Sequence, residues 1–179
     1  MQEACQEAPG SMAAVLGLDE EEIKKAGFWI ANLNCPGQVV IAGRKEEIEK
    51  ASEVLKGARR VVPLEVSGAF HTPMMMSAKE KMRLLIQEAP LMASDVDLVM
   101  NVVGRFVSDM DEMRELLIEQ ITSPTRWMDC VKSMSEASCF YEIGPSQLAG
   151  MNRKIGVTAP TIKIEKVEDL ENVYEATHG

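Results

Sequence analysis

The sequence predicts an α/β fold made of two unlike parts. Residues 11–66 run strand, helix, strand, strand, helix, strand, with turn-forming residues at the junctions. From Val96 onward, apolar runs alternate with helical patterns, the rhythm of a sheet covered by helices. Thirteen methionines and only 4% aromatic residues point to an adaptable core rather than to stacking surfaces.

The elements follow in order. Met1–Ala8 consists of helix formers and stops at Pro9-Gly10, so it reads as the tail of a helix. Met12–Leu18 is a short apolar strand. Asp19 is a good N-cap with Glu22 as its capping-box partner, which starts a helix over Glu20–Ala26 that Gly27 ends. Phe28–Leu33 and Gln38–Ala42 form a hairpin around Asn34-Cys35-Pro36-Gly37. Lys45–Lys56 has an inner stripe of Ile48, Ala51 and Leu55, an outer Glu46/Lys50 pair, and Gly57 at its end. Val61–Val66 is the fourth strand. This β-α-β-β-α-β order is the ferredoxin-like arrangement, and it makes residues 11–66 a small subdomain.

Residues 1–10 and 67–179 form the second part. Ala78–Glu88 is a helix with Met82, Leu85 and Ile86 inward. Val96–Val103 is a nearly continuous apolar strand, as expected where both faces are covered. Ser108 caps a helix over Asp109–Ile121. Ser123-Pro124 opens another, with Trp127, Val131 and Met134 on its apolar side. Cys139–Ile143 is a strand, Gly144-Pro145 a turn, Gln147–Ile155 a helix and Thr161–Ile164 a last strand. These strands are too few to complete a parallel sheet, so a sheet edge and apolar surface are expected to stand open.

Composition excludes several classes of function. A net charge of −9 argues against nucleic acid, whose binding needs a basic patch. No window of about 18 apolar residues exists, so no membrane span is expected. No leader pattern precedes the first structured stretch, and a cytoplasmic protein is expected. Cys5, Cys35, Cys130 and Cys139 lack paired metal-ligand spacing, so buried reduced thiols are expected rather than a metal site.

His71 is the one histidine outside the last few residues. It follows Gly68 and Phe70 and precedes Thr72-Pro73, a rigid turn that would leave its ring free to face a cleft. That suits a general base, because an unperturbed imidazole titrates near pH ~6.5. The alternative is a histidine satisfied by a backbone carbonyl with no chemical role.

A resemblance then adds to this reading. MQEA at the start, Met12–Leu18, the hairpin Ala31-Asn32-x-Asn34-x-Pro36-Gly37-Gln38-Val39-Val40 and Gly68-Ala69-Phe70-His71-Thr72-Pro73-Met74-Met75 occur in order. Gln120-Ile121-Thr122-Ser123-Pro124, Trp127 and Glu142-Ile143-Gly144-Pro145 follow. Together they resemble the malonyl-CoA:acyl-carrier-protein transacylase family over nearly the whole chain. The resemblance implies an α/β-hydrolase-like acyltransferase domain beside the ferredoxin-like subdomain. It implies transfer of a malonyl group from malonyl-CoA to the phosphopantetheine thiol of acyl carrier protein in fatty-acid biosynthesis, with no cofactor of its own. His71 would be the general base of a Ser-His dyad, and the backbone carbonyl of Gln120 would orient it. Phe70 would select malonyl over methylmalonyl. Asn32 and Asn34 would border the acyl and pantetheine cleft, with turn satisfaction as their alternative role. Met1 matches a position beside the family's carboxylate-binding arginine.

The departures are equally specific. The family's nucleophile lies in a Gly-His-Ser-x-Gly elbow, and no G-x-S-x-G occurs in this chain. The arginine that would pair the malonyl carboxylate falls before Met1. The resemblance therefore covers the C-terminal part of the enzyme, and the chain alone is expected to be inactive. A non-catalytic module binding acyl carrier protein or CoA is the alternative. Ser146, after a strand and Gly144-Pro145, is a weak replacement nucleophile because the second glycine of an elbow is missing. Docking an acidic carrier would need a local basic patch, for which Arg59, Arg60, Lys79, Lys81 and Arg83 are the candidates.

Overall fold

The computed structural model describes residues 1–145, 147–170 and 173, and it divides into two compact units, Met1–Ser133 and Met134–Gly179. The first begins with helix α1 (Gln2–Glu7). Strand β1 (Gly10–Leu16), helix α2 (Glu20–Lys25), strands β2 (Trp29–Cys35) and β3 (Gln38–Arg44), helices α3 (Lys45–Glu49) and α4 (Ala51–Val54) and strand β4 (Arg60–Pro63) follow. The strands form one antiparallel sheet in the order β2-β3-β1-β4.

Strand alternation explains why both faces of this sheet are covered. Ala13, Val15, Ile30, Leu33, Val39 and Ile41 pack under Ile23 of α2 and Ile48, Ala51 and Leu55 of the α3–α4 segment. Met12, Ala31, Val40 and Ala42 turn the other way, onto Ala69, with Leu64, Phe70 and Met74 at the margin. Each large aliphatic side chain so buried contributes roughly 1.5–3 kcal/mol. The expected capping box of α2 is present: the Glu22 amide donates to Asp19 Oδ1 at 2.9 Å, and the Asp19 amide donates to Glu22 Oε2 at 3.0 Å.

Three expectations here are corrected. Residues 45–56 are not one helix: Lys50 separates α3 from α4, and α4 ends at Val54. The outer ion pair is Lys45–Glu49 at 3.9 Å rather than Glu46/Lys50. The fourth strand stops at Pro63 instead of running to Val66. Proline has no N–H for a ladder and is confined to edges, and β4 is an edge strand.

After a single 3₁₀ turn over Pro73–Met75, helix α5 (Met76–Glu88) buries Ala78 and Lys79. The expected inward stripe is wrong: Met82 and Leu85 are exposed, and Ile86 is only half-buried. Val96–Val103 is not one covered strand. Only β5 (Leu98–Met100) forms, and it pairs antiparallel with β6 (Arg105–Val107) through a turn at Gly104. Val96 is 77% exposed, and Met92, Leu98 and Phe106 are exposed beside it, so open apolar surface is present as expected.

Helix α6 (Met110–Glu119) is capped by Asp109, not Ser108, with Asp109 Oδ1 accepting from the Glu112 amide at 2.7 Å. Helix α7 (Trp127–Ser133) begins after Ser123-Pro124 rather than at it. The segment before it is taken by the edge of β2. The Thr125 amide donates to the Ala31 carbonyl at 2.8 Å, and the Leu33 amide donates to the Thr125 carbonyl at 2.9 Å. An edge strand's unpaired backbone groups explain why this segment stays extended.

The second unit holds β7 (Phe140–Ile143), α8 (Leu148–Ile155) and β8 (Thr161–Ile164), with β7 and β8 parallel as the alternating pattern implied. Glu142 turns back to the start of α8, where its carboxylate accepts from the amides of Gln147, Leu148 and Ala149 at 2.5, 2.8 and 3.2 Å. These amides have no partners within their own helix, so an anion there is favourable. Among the described residues no helix is long and apolar enough to cross a membrane.

Candidate active site

The site is built around the loop that leaves β4 and enters α5. Its tightness comes from close backbone contacts. A Cβ on Gly68 would lie 2.3 Å from Cys5 Sγ, and one on Gly10 would lie 2.7 Å from Ala69 Cβ, so the loop lies directly against α1 and β1. Thr72 is 1% exposed. Its hydroxyl donates to the Ala69 carbonyl at 2.7 Å and accepts from the Met74 amide at 3.3 Å, closing the turn on both sides.

Within this turn His71 has φ 60°, the one positive φ of a non-glycine residue among the described residues. Left-handed backbone costs a residue with a side chain about 1–2 kcal/mol, and surrounding packing must hold it there. The consequence is a fixed ring direction. Nδ1 of His71 lies 2.9 Å from the Gln120 carbonyl oxygen. A carbonyl only accepts, so Nδ1 carries the proton in the neutral ring, and Nε2 keeps a lone pair available as a base. Gln120 is the C-cap of α6, and its carbonyl is among those a helix leaves without internal partners.

The other expected residues lie around the same unit. Phe70 is half-buried and packs against both the Met12/Val40/Ala69 cluster and the Ala4/Cys5/Met75/Ala78 cluster, so its ring is anchored as well as adjacent to His71. Asn32 pairs with Val40 across a β-bulge, and cross-strand partners share a face. That face is the one that meets Ala69. Asn32 also forms an isolated parallel bridge with Thr125. Asn34 is half-buried at the second irregularity of the same strand. Met1 is the exposed N-cap of α1, and its carbonyl accepts from the Cys5 amide at 3.0 Å. Through Ala4 and Cys5 its helix backs the loop that carries His71. Ser146 and His178 lie outside the described residues.

Of the five candidate basic residues, three are paired with carboxylates. Lys79 is buried against Glu119, Lys81 pairs with Glu3 and Glu7, and Arg83 with Glu80 and Glu115. Arg59 and Arg60 remain exposed at the start of β4. A hydrogen bond from Lys81 and its charge hold the Glu3 carboxyl below the usual carboxylate range. Glu7 is lowered first by a hydrogen bond from Ser77 and then by the charge of Lys81. Thr72 and Thr125 organise the site, yet they gave little warning. Threonine before proline is a usable capping signal, whereas nothing local marks Thr125 as a strand partner. Among the described residues no cluster of three or more His, Cys, Asp or Glu side chains is placed to hold a metal ion.

A histidine whose Nδ1 is tied to a carbonyl keeps the lone pair on Nε2, and that nitrogen is chemically able to accept a proton. No protein-family model matches the chain. Curated relatives do. It is 36% identical over 185 aligned residues to the malonyl CoA-acyl carrier protein transacylase of Bacillus subtilis, covering 96% of this chain and 58% of the relative. To the Escherichia coli K12 transacylase it is 37% identical over 168 residues, covering 87% of this chain and 54% of the relative. The Helicobacter pylori transacylase structure superposes with a TM-score of 0.89 at 33% identity, covering 98% of this chain and 59% of that one. A malonyl-transacylase solved with its type II polyketide acyl-carrier protein gives 0.88 at 30% identity, covering 97% and 62%. Over nearly its whole length the chain is similar to malonyl-CoA:acyl-carrier-protein transacylases, in line with the sequence motifs, and it spans a little over half the length of these relatives.

Proposed function

We propose that this chain carries the general-base part of a malonyl-transfer site. The observation that carries the reading is the 2.9 Å contact between His71 Nδ1 and the Gln120 carbonyl, made from a left-handed backbone. Nε2 takes the proton of a serine hydroxyl as the oxygen attacks the thioester carbonyl of malonyl-CoA. The same nitrogen returns that proton to the departing CoA sulfur. In the second half-reaction it deprotonates the phosphopantetheine thiol of acyl carrier protein, whose sulfur takes the malonyl group from the serine, and the proton passes from Nε2 to the departing serine oxygen. A carbonyl orienter fixes the tautomer without adding a charge. The serine and a carboxylate-binding arginine belong to the family part not matched by this chain. The reaction draws on no cofactor of this chain.

Asn32, Asn34 and Met1 border the substrate cleft in this reading, and Phe70 occupies the space an α-methyl group would need. The four-stranded unit over residues 11–66 is a ferredoxin-like subdomain, a reading its strand order supports. Residues 1–10 and 67–179 contribute to the larger acyltransferase subdomain. The chain acts in the cytoplasm.

The test fuses the unmatched N-terminal part of the B. subtilis relative to this chain and measures malonyl transfer to holo acyl carrier protein. The fusion should transfer and should fail as His71→Ala, while the chain alone should form no radiolabelled adduct. A stable malonyl adduct on the chain alone, lost in Ser146→Ala, would make Ser146 the nucleophile and overturn the reading. An inactive fusion, with carrier binding by the chain untouched by His71→Ala, would favour the non-catalytic binding module.

A further inference from the structure

We propose that Lys79 and Glu119 are a positioning pair for His71: their ion pair sets the Gln120 carbonyl at hydrogen-bond distance from the ring. The inference rests on the reading of His71 as the base. Lys79 is on α5, eight residues after His71, and is only 8% exposed. Its Nζ lies 2.7 Å from Glu119 Oε1. Glu119 is the last residue of α6, and the next peptide is that of Gln120.

Lysine is almost never buried unless paired, and a buried charge without its partner is strongly unfavourable. The pair therefore tolerates little movement. Glu119 is held through its backbone as well, because its carbonyl accepts from the Thr122 amide at 3.1 Å. With side chain and carbonyl both fixed, the Gln120 peptide has little freedom to swing away from His71.

The remaining ties between the two helices show why this one is special. Arg83 of α5 approaches Glu115 of α6 at 3.6 Å, but both side chains are substantially exposed. At the far end of α5, the Arg114 guanidinium donates to the carbonyls of Ile86, Gln87 and Ala89. Positions 79, 83 and 86–89 thus face 119, 115 and 114, an antiparallel register. Lys79–Glu119 is the tie nearest the ring, and it is the most buried of the ion pairs between these helices.

The test reads the ring itself. The chain has two histidines, so His178→Gln leaves His71 as the one imidazole in a ¹H–¹⁵N spectrum. At a pH where the ring is neutral, the parent should show one Nδ1–H tautomer with a slowly exchanging proton. Lys79→Met should lose that proton signal and show mixed tautomers, and Lys79→Arg should restore both. Glu119→Gln, at the half-exposed partner, should act like Lys79→Met and covers the case in which burying methionine unfolds the chain. Arg83→Met, removing the exposed neighbouring pair, should change nothing. A folded Lys79→Met or Glu119→Gln protein with an unchanged Nδ1–H signal would overturn the proposal. Equal loss in Arg83→Met would overturn it too, by showing that general helix docking is responsible. A parent without the Nδ1–H tautomer would sink the base reading along with the pair. A proper parent with unresponsive variants would sink the pair alone.

Discussion

Replacing His71 by glycine should destabilise the first unit less than replacing it by alanine. In an ordinary loop the order is the reverse, because glycine adds about 0.4–1 kcal/mol of unfolded-state freedom relative to alanine. Here φ is 60°, and a residue with a Cβ sits there at a cost of about 1–2 kcal/mol. Both variants lose the bond to Gln120, a net loss of about 0.5–1.5 kcal/mol that cancels in the comparison. The difference is then about 1 kcal/mol in favour of glycine. With a urea slope of about 1–3 kcal/mol/M, the midpoints should separate by roughly 0.3–1 M. Trp29 and Trp127 both lie in this unit, so intrinsic fluorescence reports the transition. An alanine midpoint equal to or above that of glycine would refute a left-handed His71 in solution. The claim that the loop stores strain to aim the ring would go with it.

In the fused enzyme, Phe70→Ser should relax selection toward methylmalonyl-CoA by about 1–3 kcal/mol, read as the ratio of kcat/KM for the two thioesters. Unchanged ratios remove that role and leave Phe70 as packing between its two clusters. Glu142→Ala should destabilise the second unit by about 1.5–3 kcal/mol, because three amide donors at the start of α8 lose a charged acceptor; hydrogen exchange at Leu148 and Ala149 would report it. Glu3 and Glu7 sit below the ordinary carboxylate range, so their attraction to Lys81 is complete above that range and is lost as pH falls through their lowered values. Carboxyl NMR titration should show both midpoints rising in Lys81→Met, and salt should narrow the difference. Burial raises the Cys130 thiol above its ordinary value, so it should resist a neutral alkylating reagent at mild alkaline pH until urea is added. Rapid labelling of the native protein would contradict its placement.

Elements whose signals are local were legible. Asp19 and Glu22 set the start of α2 within four residues of chain, and the capping box stands as expected. The hairpin and the alternation of β1 and β3 likewise depend on nearest neighbours. Features set by distant partners were not. Ser123-Pro124 is a good helix start on local grounds, but the free edge of β2 holds Thr125 extended. Met82 and Leu85 have helical apolar spacing, yet Ala78 and Lys79 face the interior, because α1 and α6 lie on that side. At the site, a turn at His71 was legible from Gly68 and Pro73. Its partner 49 residues away came from the family motif, since no property of glutamine marks a backbone carbonyl as an acceptor.

Burial of Lys79 and the backbone of His71 make the same physical point at two scales. Neither is favourable by itself: one removes a charge from water, and the other places a Cβ-bearing residue in left-handed space. Each persists because packing leaves no easier arrangement. Gly68 is pressed against Cys5, Gly10 against Ala69, and Thr72 is closed within its own turn, so the chain around His71 has no slack in which to relax. On the facing side α6 ends at Gln120, and its exposed carbonyl must find a donor. The ring supplies one. Two unsatisfied local demands, an unpaired helix-end carbonyl and a histidine held in an uncommon conformation, are met by a single contact of 2.9 Å. Loosening either side should therefore cost ring orientation before it costs the fold, and the proposed role of His71 as a base depends on that orientation.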